Sequence, residues 1–309
     1  MAVEALKLIP ATKDYIWGGT KLKEEYNIKS SLETVAEAWV LSAHKAGESI
    51  VENGSLKGKT LSEAINALGE DVLGKNAKKF PYFPILIKLI NAKDNLSVQV
   101  HPNDEFALKH ENEFGKTEMW YILEAEENAF IYYGFKKDIT KEEFKTAIKN
   151  NTLCDILNKV YVKKGECFFI ESGTIHAICK GITVAEIQQN SNTTYRVYDY
   201  GRRDKNGNLR ELHIDKALEV TNLKALKNKD FLPKGNVLCD CKYFKCEKQD
   251  INGSFNAYAN EDSFLSILVL EGEISFLNVT LKKGESAFIP ANTGEFEIKG
   301  NASIIESRI

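Results

Sequence analysis

Two stretches of this 309-residue chain decide its fold: KKGECFFIESGTIHAICKG at 163–181 and KKGESAFIPANTGEFEIKG at 282–300. They align without a gap at an offset of 119 residues. Nine of the 19 positions are identical, including the opening Lys-Lys-Gly-Glu and the closing Lys-Gly. One supersecondary unit used twice at that separation predicts two related β-domains. The boundary is expected near LKNKDFLPKGN (226–236), a charged stretch holding Pro233 and Gly235, which gives domains over 1–225 and 236–309. The copies differ where chemistry would sit, because His176 in the first is Glu295 in the second. A metal ligand present in the first copy is therefore missing from the second.

The segments around the repeat are short, β-branched or aromatic, and bounded by turn residues. They include LSVQV (96–100), MWYILEA (119–125), AFIYYGF (129–135), CFFIES (167–172), ITVAEIQQ (182–189), TTYRVYDY (193–200), SFLSILVL (263–270) and EISFLNV (273–279). Many short strands separated by turns point to a sandwich or barrel rather than to βαβ units. Helices are few. Thr60 with Glu63, and Thr140 with Glu143, are capping boxes ahead of helical periodicity over about 60–74 and 140–151. These mark two helical insertions in the first domain, about 60–74 and 140–159. A third helix is expected at His213–Asn222, where Ile214, Ala217, Leu218 and Thr221 share a face. The reading is all-β with helical decorations.

Composition excludes several function classes. Lys plus Arg total 41 against 44 for Asp plus Glu, so broad nucleic-acid or membrane-surface binding lacks the basic excess it needs. The longest apolar runs, FPILIKLI (83–90) and FLSILVL (264–270), are strand-length, far short of the roughly 20 residues of a membrane helix. The opening MAVEALKLIPATKDYIWGG lacks the basic and apolar regions of a signal peptide. The six cysteines form no evenly spaced framework, so reduced thiols and a cytoplasmic location are expected.

Four residues have the chemistry of a metal site. In SVQVHP (97–102), Gln99 and His101 are two apart in a strand-like run, and alternate side chains of a strand leave the same face. Glu118 opens an otherwise apolar strand, and His176 lies in SGTIHAI, a turn feeding a strand. An amide, a carboxylate and two imidazoles suit a borderline divalent ion, with zinc favoured. His44, His110 and His213 are read as surface or hydrogen-bonded residues, not ligands. The segment from Gly165 through Glu171 and Gly173 to His176 fits the second cupin motif, with Glu171 in place of its usual proline. The second copy keeps that proline as Pro290 and lacks the histidine.

The strings SVQVHPND, GKTEMWYI, SGTIHAI, EIQQNSNTTYRVYDYGR and RELHIDKAL resemble those of the zinc-dependent mannose-6-phosphate isomerases in their short bacterial form. WGGTKL near the start and AEAWVLSAH at 36–44 also match, so the likeness is dense over about residues 7–220 and thins beyond. The resemblance implies a bicupin, two jelly-roll β-barrels of which only the first carries a metal. It implies one zinc ion per chain held by Gln99, His101, Glu118 and His176, and a sugar phosphate as substrate. The implied reaction moves a proton between C2 and C1 through a cis-enediol.

That reaction needs stabilised oxygen charge, a base for the C–H, and a phosphate anchor. The family uses positions matching Arg196 and Arg202 near the phosphate and reacting oxygens, a task suited to the planar, two-pronged guanidinium. Arg203 is read as part of a solvated turn. Lys116, two before Glu118, shares the ligand's strand face. Glu186 matches an acidic position in the family's pocket. Lys116, Glu186 and a metal-bound water all stay open as proton carrier, and Ser97 is a candidate substrate contact.

CDCKYFKC (239–246) has no further nearby His or Cys to complete a zinc site and reads as packing. The alternatives are an isomerase of a related sugar phosphate, an Fe(II) cupin oxygenase, and a sugar-phosphate-binding bicupin without turnover. The sequence does not fix oligomeric state.

Overall fold

Both Lys-Lys-Gly-Glu segments fold into the same turn. Gly165 and Gly284 sit at φ 91° and 84°, where an L side chain is strained, and a Cβ at Gly284 would also strike the Tyr26 backbone. In each turn the glutamate carboxylate accepts the first lysine's amide, Lys163 to Glu166 at 2.7 Å and Lys282 to Glu285 at 2.8 Å. Strands Cys167–Ile170 and Ser286–Ile289 follow at the repeat's own offset. The shared letters therefore encode a turn and its strand. Beyond them the copies part. His176–Ile178 enters a different sheet from Cys167–Ile170, whereas Gly294–Arg308 shares one sheet with Ser286–Ile289.

The structure, a computed structural model, describes residues 4–203, 206–226 and 234–309. The central part of the expected domain boundary, 227–233, and Asp204 of the Arg203 turn lie outside the described residues.

Two antiparallel sheets frame the first part of the chain. One has six strands in the order Cys167–Ile170, Glu118–Ala125, Ile182–Gln189, Ile85–Ala92, Glu37–Leu41, Ala11–Lys13. The other has five: Leu157–Tyr161, Phe130–Phe135, His176–Ile178, Val98–Val100, Tyr195–Tyr198. An eight-stranded sheet gathers the C-terminal strands, three of them long (Lys245–Ala259, Leu265–Phe276, Gly294–Arg308). It also takes in Leu6–Ile9 and Ile50–Val51 from the N-terminal region.

The expectation of an all-β chain of two closed jelly-roll barrels is corrected by these pairings. The fold is mixed α/β with several antiparallel sheets, and none of them closes. The six-stranded sheet ends at Cys167–Ile170 and Ala11–Lys13, the five-stranded one at Leu157–Tyr161 and Tyr195–Tyr198. The eight-stranded one ends at Val237–Asp240 and Ile50–Val51. Residue alternation encodes which face is covered, and a facing sheet covers it as well as a barrel wall does.

The layers are legible in the core. Ile90, Trp120, Ile122 and Val184 of the six-stranded sheet pack with Ile131 and Ile178 of the five-stranded one. The opposite face of the six-stranded sheet (Leu89, Met119, Tyr121, Ala185) packs with Leu268, Phe288 and Ile305 of the eight-stranded sheet. Ile85–Ala92 and Ile182–Gln189 are consequently buried at every position, including their polar residues Lys88, Asn91, Thr183, Glu186, Gln188 and Gln189.

The outer face of the five-stranded sheet (Val98, Val100, Ala177, Val197) is covered by helices Lys141–Lys149 and Ile214–Val220 through Phe144, Ile148 and Ala217. Both expected capping boxes form, at Thr60 with Glu63 and at Thr140 with Glu143. The helix behind Thr60, Leu61–Leu68, stops at Gly69 and hands over to a 3-10 turn at Glu70–Leu73. Helix Asp104–His110, capped by Asn103 through the Phe106 amide, was not anticipated. Among the described residues no helix is long and apolar enough to cross a membrane.

Candidate metal centre and active-site cavity

The space between the five- and six-stranded sheets holds polar residues where the rest of that layer is apolar. From the five-stranded sheet, Gln99, His176 and Arg196 form a cross-strand row, His176 opposite Gln99 and Gln99 opposite Arg196. From the six-stranded sheet, Lys88 lies opposite Glu186 and Glu186 opposite Trp120, with Glu118 two residues before Trp120 on the same face.

His101, Glu118 and His176 are 1% exposed or less, and their ligand atoms lie within 4.8 Å of one another. Both imidazoles are oriented by backbone. His101 Nδ1–H donates to the Thr193 carbonyl and His176 Nδ1–H to the Thr174 carbonyl, each at 2.9 Å. That fixes the tautomer and leaves an unprotonated Nε2 on each ring. The two Nε2 atoms stand 3.6 and 3.3 Å from the Glu118 carboxylate, and Glu118 Oε1 has no hydrogen-bond partner. The Gln99 amide reaches the same point, 3.4 Å from His176 Nε2, and turned over it presents its oxygen there.

The buried lone pairs of His176 Nε2 and Glu118 Oε1, 3.3 Å apart, face each other with no proton between them, which is unfavourable unless a cation joins them. Burial lowers the His176 pKa to about 4. Burial and the Lys116 charge hold His101 well below its ordinary value. Burial, with the Glu186 charge adding, pushes Glu118 up to about 8. Both imidazoles are thus neutral and ready to ligate, and Glu118 Oε1 is left without a partner while Lys116 meets the other carboxylate oxygen. The donor set fits a divalent ion.

Beside the cluster, Lys116 Nζ bonds His101 Nε2 at 3.1 Å, contacts the Glu118 carboxylate closely, and lies 3.6 Å from Glu186 Oε1. Lys88 Nζ is 3.5 Å from both Glu186 and Glu37, and its pKa is raised because these carboxylates outweigh its burial. Trp120 Nε1–H donates to Glu186 Oε2 at 2.8 Å, and Trp39 Nε1–H to Glu37 Oε2 at 2.7 Å. Burial alone would raise the Glu186 pKa, but Lys116, Lys88 and Trp120 together hold it below the usual range. Lys116, Lys88, Glu186 and Glu37 line a cavity of about 240 Å³ whose walls also include Ser97, Gln99, Arg196, Arg210 and Tyr15.

Several known proteins similar to this chain carry the name mannose-6-phosphate isomerase. Residues 5–152 match the family model for the phosphomannose isomerase type I catalytic domain, and residues 235–309 that for the mannose-6-phosphate isomerase cupin domain. Mannose-6-phosphate isomerase ManA of Bacillus subtilis is 40% identical over 322 residues, covering 100% of both chains. The chain belongs to the type I phosphomannose isomerases.

The Streptococcus mutans mannose-6-phosphate isomerase is 40% identical over 84% of this chain and 82% of its own. The crystal structure of the Bacillus subtilis mannose 6-phosphate isomerase superposes with a TM-score of 0.87 at 38% identity over 99% of each chain.

Of the sequence-predicted residues, Gln99, His101, Glu118 and His176 come together, with Lys116 against them. Glu186, Ser97 and Arg196 line the same cavity. Arg196 Nη1 donates to the Glu211 carbonyl at 2.8 Å, and its buried Nε has no hydrogen-bond partner. Arg202 is not among the lining residues. It bonds Asp199 Oδ1 at 2.5 Å and the Asn95 carbonyl. Sequence reasoning missed Lys88, Glu37 and Arg210. Lys88 carried a readable signal, a lone lysine inside FPILIKLI, since a charge in a fully apolar strand demands buried partners. Arg210 stood in the RELHIDKAL string but was not singled out. The six cysteines are free thiols, and Cys239 pairs across strands with Cys246.

Proposed function

We infer that this chain catalyses the metal-dependent interconversion of mannose 6-phosphate and fructose 6-phosphate, an aldose–ketose isomerisation through a cis-enediol. The observation that carries this is the convergence of two unprotonated Nε2 atoms and an orphaned carboxylate oxygen next to a paired ammonium and carboxylate that line a sugar-sized cavity. Gln99, His101, Glu118 and His176 would hold the ion, and zinc suits this nitrogen and oxygen set. When bound, a divalent ion supplies positive charge for the oxygen anion that develops as the enediol forms.

The chain's own groups do the rest. Lys116 Nζ and Glu186 Oε1, 3.6 Å apart, are the pair proposed to move the proton. The Glu186 carboxylate is kept ionised by Lys88, Lys116 and Trp120, as a base must be. The Lys116 ammonium stands ready to donate to a sugar oxygen. Arg196 at the cavity wall is the proposed phosphate anchor. Asp199 holds Arg210 beside it through bonds of 2.7 and 2.5 Å, and Ser97 adds a hydroxyl. Arg202 would act on the phosphate only by leaving Asp199. All these groups lie within 1–225, so we take that part as catalytic and 236–309 as its support. A cytoplasmic setting accords with six free thiols.

Solvent hydrogen exchange tests the reaction. In D2O, turnover of mannose 6-phosphate should place deuterium on C1 of fructose 6-phosphate and on C2 of recovered mannose 6-phosphate. Tight sugar-phosphate binding with no exchange would make the chain a binding protein instead.

A further inference from the structure

Glu113 and His44 stand outside the cavity lining yet grip the turn that holds His101. Glu113 Oε2 accepts the Asn192 amide at 3.0 Å and the Thr193 hydroxyl at 3.2 Å. The Thr193 carbonyl in turn accepts His101 Nδ1–H at 2.9 Å. On the other side of the carboxylate, Glu113 Oε1 lies 3.4 Å from His44 Nε2 and 3.1 Å from Lys45 Nζ. His44 is set for this contact. Its Nδ1 accepts the Ala46 amide at 3.1 Å, so the proton sits on Nε2 and points at Glu113. The ring is 5% exposed and packs edge-on against Trp39 at 5.7 Å.

We propose that Glu113, backed by His44, is a positioning residue for the metal centre. It fixes the Asn192–Thr193 turn, and through the Thr193 carbonyl it keeps the His101 ring with Nε2 toward the ion. Without the clamp the turn loses two bonds, the carbonyl drifts, and His101 gains freedom that metal binding must then remove. Outer contacts of this kind typically change metal affinity about 10- to 100-fold. The inference rests on His101 being a ligand, as proposed above.

The test is zinc affinity, measured on the full chain by competition with a chromophoric chelator, for the wild type and Glu113→Ala, Glu113→Gln, Lys45→Ala and His101→Ala. Glu113→Ala should weaken zinc about tenfold. Glu113→Gln keeps one acceptor oxygen for the turn but turns an amide N–H toward His44 and Lys45, so it should weaken zinc about threefold. Lys45→Ala should bind as the wild type does, because it removes charge without touching the turn. Circular dichroism of the metal-free proteins establishes which variants are folded. Wild-type affinity in either folded Glu113 variant overturns the proposal, and so does an equal loss in Lys45→Ala. If His101→Ala itself binds zinc normally, the ligand reading fails instead.

Discussion

His176 and Gln99 face each other directly across the antiparallel strands His176–Ile178 and Val98–Val100. Two proposed ligands are thereby set by one register position rather than by loop geometry. Gln99 is also paired with Arg196 on its other side, so the proposed metal ligands and phosphate anchor occupy one row of one sheet. A one-residue slip of the central strand would turn Gln99 into the helix-covered layer and break the row.

His101→Ala removes an Nε2 that the Thr193 carbonyl holds ready. The account expects the purified variant to carry less than a tenth of the wild-type metal by elemental analysis, with isomerase activity lost in proportion. Activity retained without metal would contradict the site.

Arg196→Ala separates anchoring from metal binding. Losing two charge-assisted bonds to phosphate, at about 1.5 kcal/mol each, lowers kcat/KM by about 100-fold. Metal content should stay at the wild-type level. Full activity would remove Arg196 from the anchoring role.

For Lys116→Ala, the loss should fall on kcat, by about 10²- to 10⁴-fold, with KM changed much less. Deuterium incorporation from D2O should fall in step. A change confined to KM would make Lys116 a binding group only.

Glu113 gives the pH prediction. The His44 contact, with the Asn192 amide and Lys45, outweighs burial and lowers its pKa from 4.5 to about 2. A folded-state pKa below the unfolded one contributes stability that is fully present above pH 4.5 and is lost as pH falls toward 2. In urea unfolding, the wild type should exceed Glu113→Gln by a constant margin from pH 5 to 7. That margin should shrink below pH 4.5. A margin independent of pH down to 3 would contradict the assigned shift.

The sequence made much of the site legible because Gln99 and Glu118 lie on strands, with His101 just past the end of one and Lys116 just before the start of the other. Gln99 and His101, and Lys116 and Glu118, are each two apart, and the faces follow from that alone. The repeat was legible for a different reason. Its identical letters are turn residues, and Gly165 and Gly284 adopt the same left-handed backbone.

Closure of the sheets was not legible. Alternation reports that a face is covered, not what covers it, and the middle sheet here is covered on both sides. Glu113 was invisible because its role depends on contacts distant in sequence. Glu113 meets Asn192 across 79 positions, and no local pattern announces such a meeting.

The most direct test of the central claim is a coupled assay on mannose 6-phosphate, run on the purified protein, after chelation, and after adding zinc back. The account predicts activity that disappears on chelation and returns with zinc. Activity unchanged by complete removal of metal, or a folded zinc-loaded protein with no turnover of mannose 6-phosphate, would contradict it.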